Sequence, residues 1–262
     1  STWSVNSFFQ SIIENKFVYF DEYWYDNGGL PSILVNYLKT HELNIFEYLD
    51  KDKFLKVSSD DFKNPTALTT INQNVLMCQT GYLTLRSDLN KTSTVALGIP
   101  NGEIYKALNR LLANNIFKGN TDITDDYGRS LLEVGTVDDI INLFNCALNS
   151  VSYDNYPIVS ESSVQNMLKL YLLGAHQEVL SEVHEAKGRA DLVVNTDNKR
   201  IVFEFKYAKN ETEAKSKLSE AVEQIKSRDY GNILPKKNEL LRIAAVFNAD
   251  PKVRAFTEYQ EV

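Results

Sequence analysis

Apolar residues recur at helical spacing near the start of the chain, at Val5, Phe8, Phe9, Ile12 and Ile13, with Ser4 placed to cap the helix predicted over 4–14. Asn27-Gly28-Gly29 reads as a turn, and Pro31 opens a second helix whose apolar stripe is Ile33, Leu34, Tyr37 and Leu38. A third helix is predicted over 69–80. Two short apolar runs, 82–85 and 94–97, read as a hairpin across a polar loop, and 104–117 returns to helical spacing through Leu108, Leu111 and Leu112. Helix, hairpin, helix is a winged-helix-like order, and a small α+β packing unit accounts for the same pattern.

The second half changes character. After a polar loop through Asp126 and a helix over 137–148, the turn-rich stretch Ser152-Tyr153-Asp154-Asn155-Tyr156-Pro157 marks a boundary near residue 150. Residues 1–150 are thus expected to form a mostly helical, winged-helix-like domain, and 151–262 a second domain. The second opens on a helix through Val164, Met167, Leu168, Tyr171 and Leu172 that ends at Gly174. Strands follow near 178–186, 189–195 and 200–207. A helix over 211–228 buries Ala214, Leu218, Ala221, Val222 and Ile225, and a buried strand over 241–247 closes the order α-β-β-β-α-β. The fold class is α/β within this domain and α+β overall.

Three ionisable residues interrupt the apolar pattern of these strands. Glu204 and Lys206 are two apart, so they share one face of a strand, while Phe203, Phe205 and Tyr207 share the other. Asp191 stands on the preceding strand. Charges in such positions persist only when paired or metal-bound. Two readings follow: an inter-strand salt bridge, or a site.

Composition sets outer limits. The chain has 262 residues, 43% hydrophobic and 24% charged, as in ordinary globular proteins. No apolar run of membrane-spanning length is present, and the N-terminus has no basic and apolar leader pattern. A first residue other than Met suggests a piece of a longer protein. Cys78 and Cys146 are far apart with no metal or disulfide spacing, so both are expected to be buried, in a reducing, cytoplasmic setting. Net charge is −7, yet residues 176–262 hold 15 basic and 15 acidic residues, so the excess acidity falls on the first 175. That first part is a poor nucleic-acid surface; the last is not repelled by phosphate.

With the residues in view, Gly188-Arg189-Ala190-Asp191, Phe203-Glu204-Phe205-Lys206 and Ala221-Val222-Glu223-Gln224-Ile225-Lys226 followed by Tyr230 resemble the PD-(D/E)XK nuclease superfamily. The likeness is nearest to the nuclease-like domain that ends bacterial AAA-ATPase-like proteins. Segments of the N-terminal half are similar to that family too: Asp21 to Leu34, Gln79-Thr80-Gly81-Tyr82-Leu83-Thr84 and Leu97-Gly98-Ile99-Pro100-Asn101. The phosphate-binding loop of an ATPase is absent from the chain.

The resemblance implies a restriction-endonuclease-like core and Mg²⁺- or Mn²⁺-dependent hydrolysis of nucleic acid, DNA in the first instance. Asp191, Glu204 and the Phe205 carbonyl would hold the ion, and Lys206 would position or deprotonate water or stabilise developing charge. Glu182 and Glu161 are the supporting acids it implies, Glu161 also being a favourable acid at a helix N-terminus. Gln224 would reach the Lys206 region or a phosphate. Arg189, with Lys187, would face phosphate or pair with an acid. His184 alternates with Glu182 and is not expected to bind metal. The implied partners are nucleic acid and an ATPase domain or other protein, with no membrane. The alternative is an inactive nuclease-fold module for nucleic-acid or protein binding and assembly, including within a toxin or effector.

Overall fold

The computed structural model describes residues 2–16, 32–41, 43–64, 67, 69–86, 93–118, 128–185 and 187–262. The expected turn at 27–29, the helix-opening Pro31, most of the Asp21–Leu34 segment and the loop through Asp126 lie outside them. The chain divides into two compact units, Ser1–Asn115 and Ile116–Val262. The division expected near residue 150 falls inside the second of these.

Unit 1 contains α1 (Thr2–Asn15), α2 (Ser32–Leu38), a 3₁₀ turn (Ile45–Tyr48), β1 (Leu55–Ser58), α3 (Ser59–Lys63), α4 (Gln73–Gln79), β2 (Thr84–Leu85), β3 (Thr94–Gly98) and α5 (Gly102–Ile116), which runs to the junction. Ser4 lies inside α1 rather than at its cap, since the helix begins at Thr2. The helix expected over 69–80 is shorter because the Asn72 side chain accepts from the Asn74 N–H and caps α4 there. β2 and β3 form the expected hairpin, with Thr84 opposite Gly98. β1, too short to stand out in the sequence, pairs on the other side of β3, giving the antiparallel order β1-β3-β2.

Unit 2 contains α6 (Val137–Asn149), α7 (Glu161–Gly174), β4 (Glu178–Glu185), β5 (Gly188–Asn195), β6 (Lys199–Ala208), α8 (Glu211–Arg228), β7 (Glu239–Asn248) and β8 (Ala255–Glu261). The helix starts are written locally. Thr136 with Asp139 and Ser160 with Ser163 form capping boxes for α6 and α7, and the Asn210 side chain accepts from the Glu213 N–H for α8. The sheet order is β4-β5-β6-β7-β8, with β6 and β7 parallel and the other pairs antiparallel. The expected α-β-β-β-α-β order is thus present. β8 was missed because its burial is confined to one residue, Phe256.

A parallel pair needs a crossover, and α8 supplies it between β6 and β7. Val202 and Ala244 pack against Ala221 and Ile225 of α8, and Val246 and Ala208 meet Ala214. Val202, Glu204, Lys206 and Ala208 therefore share the face covered by α8. On the other face Phe203 stacks on Phe205 with centroids 5.6 Å apart, and Phe144 of α6 lies 5.2 Å from Phe203. β6 is buried on both sides almost throughout, as a central strand should be.

No helix among the described residues is long and apolar enough to cross a membrane. The cysteines depart from expectation. Cys146 is exposed on the outer side of α6 and Cys78 is only half-buried, both with free thiols.

Candidate active site

The pairing of β5 with β6 ends at Leu192–Phe203. Beyond that point the two strands no longer exchange ladder bonds, and a side chain takes over: Asp191 Oδ2 accepts the Phe205 N–H at 2.8 Å. The N–H and C=O of one strand residue point the same way, so the Phe205 carbonyl also faces this opening. Asp191 is further held through its backbone, because Gln165 of α7, itself buried, donates its side-chain amide to the Asp191 carbonyl.

Glu204 is 0% exposed and Lys206 6%. Lys206 Nζ donates to Glu204 Oε1 at 2.8 Å and lies 3.6 Å from Glu161 Oε1 at the start of α7. Glu161 is 42% exposed at its side chain, so it forms the wet rim of the cluster. The second carboxylate oxygen of Glu204, Oε2, is buried with no hydrogen-bond partner among the described residues. An orphaned carboxylate oxygen at such depth is uncommon and asks for a cation or a proton.

The electrostatics agree. Burial pushes the Asp191 carboxyl up to about 6, the Phe205 N–H opposing and the Glu161 charge adding to the rise. Glu204 is pushed up to about 7, by burial first and then by the neighbouring Asp191, against the pull of Lys206. For Lys206, burial favours the neutral amine, but its hydrogen bond and charge pairing with Glu204, aided by Glu161 and Asp191, win and raise its pKa. Two carboxylates strain against each other while the lysine stays an ammonium.

These residues fit a hard divalent cation: two carboxylates, one with an oxygen left over, and a main-chain carbonyl facing the same opening. No group of three His, Cys, Asp or Glu side chains converges as a ligand set among the described residues, so a main-chain oxygen and waters would complete the shell.

The supporting residues divide. Glu182 lies across β4 from Asp191, where the β4–β5 pairing skips a step, and it adopts φ 53. A left-handed glutamate inside a strand costs about 1–2 kcal/mol and marks a built feature. Its carboxylate pairs with Arg189 and adds to the upward push on Asp191. Arg189 thus meets a local acid, one of the two alternatives the sequence left open. Gln224 is half-buried on α8, and no hydrogen bond joins its side chain to Asp191, Glu204 or Lys206 among the described residues. His184 is exposed.

Two functional candidates escaped the sequence reading. Gln165 sits one turn after Glu161 on α7, and its spacing was visible without its role. Arg228, whose guanidinium feels both Glu204 and Asp191, looked like an ordinary charge at the end of a helix.

Comparison with curated proteins and with solved structures gives no match. A family model of the PD-(D/E)XK nuclease superfamily matches residues 159–257, the stretch that begins at the cap of α7, reaches into β8 and carries Glu161, Glu182, Asp191, Glu204 and Lys206.

Proposed function

We propose that unit 2 hydrolyses phosphodiester bonds of nucleic acid, DNA in the first instance, with a divalent cation held by Asp191, Glu204 and the Phe205 carbonyl. The observation that carries this is the buried Glu204, its Oε2 orphaned, beside a charged Lys206 and the half-buried Asp191. Mg²⁺ or Mn²⁺ would supply Lewis acidity and an ordered water at these oxygens. The chain's own groups do the rest. At the open end of the β5–β6 ladder the Phe205 N–H holds the Asp191 carboxylate and the Gln165 amide holds the Asp191 backbone carbonyl. Lys206, 2.8 Å from Glu204 Oε1, is placed to stabilise the charge that builds on the phosphate or to position the attacking water. Glu161, at the wet rim and 3.6 Å from Lys206, offers that ammonium a second partner when Glu204 turns to a cation.

The test is cleavage of linear, circular and single-stranded DNA and of RNA with Mg²⁺ or Mn²⁺, comparing the natural chain with Asp191→Ala and Lys206→Ala. Activity that depends on metal and is lost in both variants, with the fold intact by circular dichroism, is the expected result. Intact substrates throughout would sink the reading.

A second reading belongs to a different class: a nuclease-fold module that binds without cutting. The closed Lys206–Glu204 pair favours it, since the cluster neutralises part of its own charge without a cation. Binding without cleavage, unchanged in Glu204→Ala, would select it. In unit 1, the order β1, α3, α4, β2, β3, α5 with β1 paired to β3 supports the winged-helix-like reading. Unit 1 holds 10 basic and 12 acidic residues, so its charge gives DNA docking no advantage over protein packing there.

A further inference from the structure

A polyanionic substrate must approach one buried and one half-buried carboxylate, and the cations around them are mostly spoken for. Arg189 pairs with Glu182, Arg242 with Asp229 and Lys206 with Glu204. Arg228, the last residue of α8, differs. Among the described residues no carboxylate forms an ion pair with it, yet Glu204 and Asp191 both act on its charge. Its Nη1 donates to the Tyr230 hydroxyl at 2.7 Å, and Tyr230 is 0% exposed, so the tether is anchored in the core. The aliphatic stem runs across Gly188. A Cβ there would lie 2.6 Å from Arg228 Cδ and 3.0 Å from the Tyr230 hydroxyl. Gly188 opens β5, and Asp191 follows three residues on, roughly 10 Å along the strand. Lys187, next to Gly188, is exposed, and its charge reaches Asp229 beside Arg228.

We propose that Arg228, held by Tyr230 over the bare backbone of Gly188, is a phosphate-binding subsite that seats a nucleic-acid backbone phosphate flanking the one at Asp191 and Glu204. The subsite rests on the nuclease reading above and says which residue receives the strand beside the cutting point. One guanidinium N–H is committed to Tyr230, and the remaining donors suit a phosphate in fork geometry. The tether also removes part of the side-chain entropy that binding would otherwise cost.

The test measures duplex-DNA affinity in Ca²⁺ by fluorescence anisotropy across a salt series, for the natural chain, Arg228→Gln, Arg228→Lys and Tyr230→Phe. Cleavage in Mg²⁺ is followed separately. Arg228→Gln should weaken binding about tenfold and reduce the slope of log affinity against log salt by about 0.9, the loss of one phosphate contact. Arg228→Lys should keep the slope, and Tyr230→Phe should weaken binding while keeping it. The melting temperature of Arg228→Gln should stay that of the natural chain, because the side chain is partly exposed. Equal affinity and slope in Arg228→Gln, or no duplex binding by the natural chain, overturns the subsite. Binding that depends on Arg228 without any cleavage overturns the nuclease reading and leaves the subsite standing. Cleavage by the natural chain together with unchanged binding in Arg228→Gln overturns only the subsite.

Discussion

At the scale of single residues, the site is a balance of charges that folding alone does not favour. Asp191 and Glu204 both titrate above the usual carboxylate range, at about 6 and about 7. Below about pH 3 both are mostly protonated in the folded and unfolded chains. As pH rises toward 7 the unfolded carboxyls release protons first, so the folded state binds more protons and stability falls through that window. The metal-free protein should therefore lose stability between about pH 4 and pH 7 from this pair, the pull of Lys206 being already contained in both shifts. Thermal melts across that range check it, and added Mg²⁺ at neutral pH should restore the loss. The two carboxylates are not equivalent. Asp191→Asn keeps an acceptor for the Phe205 N–H and removes repulsion, so at neutral pH without metal it should stabilise by about 1 kcal/mol while abolishing cleavage. Glu204→Gln leaves Lys206 without its buried counter-charge and should not stabilise. Denaturant titration of both variants separates them.

At the scale of elements, the site exists because β5 and β6 part company. One ladder step fewer frees the edge of Phe205, and Asp191 fills it. At the start of β5, three residues before Asp191, the missing side chain of Gly188 is what lets the end of α8 close over the strand. Its φ is not in the left-handed region, so Gly188→Ala adds no backbone strain and meets first the flexible stem of Arg228. The expected outcome is a melting temperature lowered by only a few degrees with a clear loss of duplex affinity, measured by calorimetry and anisotropy. Unchanged affinity would mean that the position of Arg228 does not matter.

At the scale of the whole molecule, the second unit extends beyond the stretch that the family model matches. Phe144 of α6, before residue 159, lies 5.2 Å from Phe203 and 6.5 Å from Phe256, each 3% exposed or less. Phe144→Ala should cost about 3–5 kcal/mol in chemical denaturation. A cost below about 1 kcal/mol would place α6 outside the cooperative unit. A boundary near 150 was read from the turn-rich stretch 152–157, yet that stretch connects two helices of one unit. Turn chemistry marks where helices end; it carries no signal about which helices then pack on the same sheet.

Periodicity, caps and punctuation made α6, α7, β4 to β7 and α8 legible, because those signals are local and each element obeyed them. The spacing of Glu204 and Lys206 was equally legible, since a strand alternates whatever surrounds it. The chain by itself therefore determined the elements of the second unit from α6 to β7 and the residues that stand out on them. Tertiary structure decided what those residues became. It ended the β5–β6 ladder at Leu192–Phe203, left Glu204 Oε2 without a partner, brought Gln165 to the back of Asp191 and tethered Arg228 beside them. β8 and the exposure of Cys146 were decided there too. The physical reason is common to all of these: burial and charge pairing depend on which distant segments meet, and that information lies in the packed sheet rather than in any one stretch of chain.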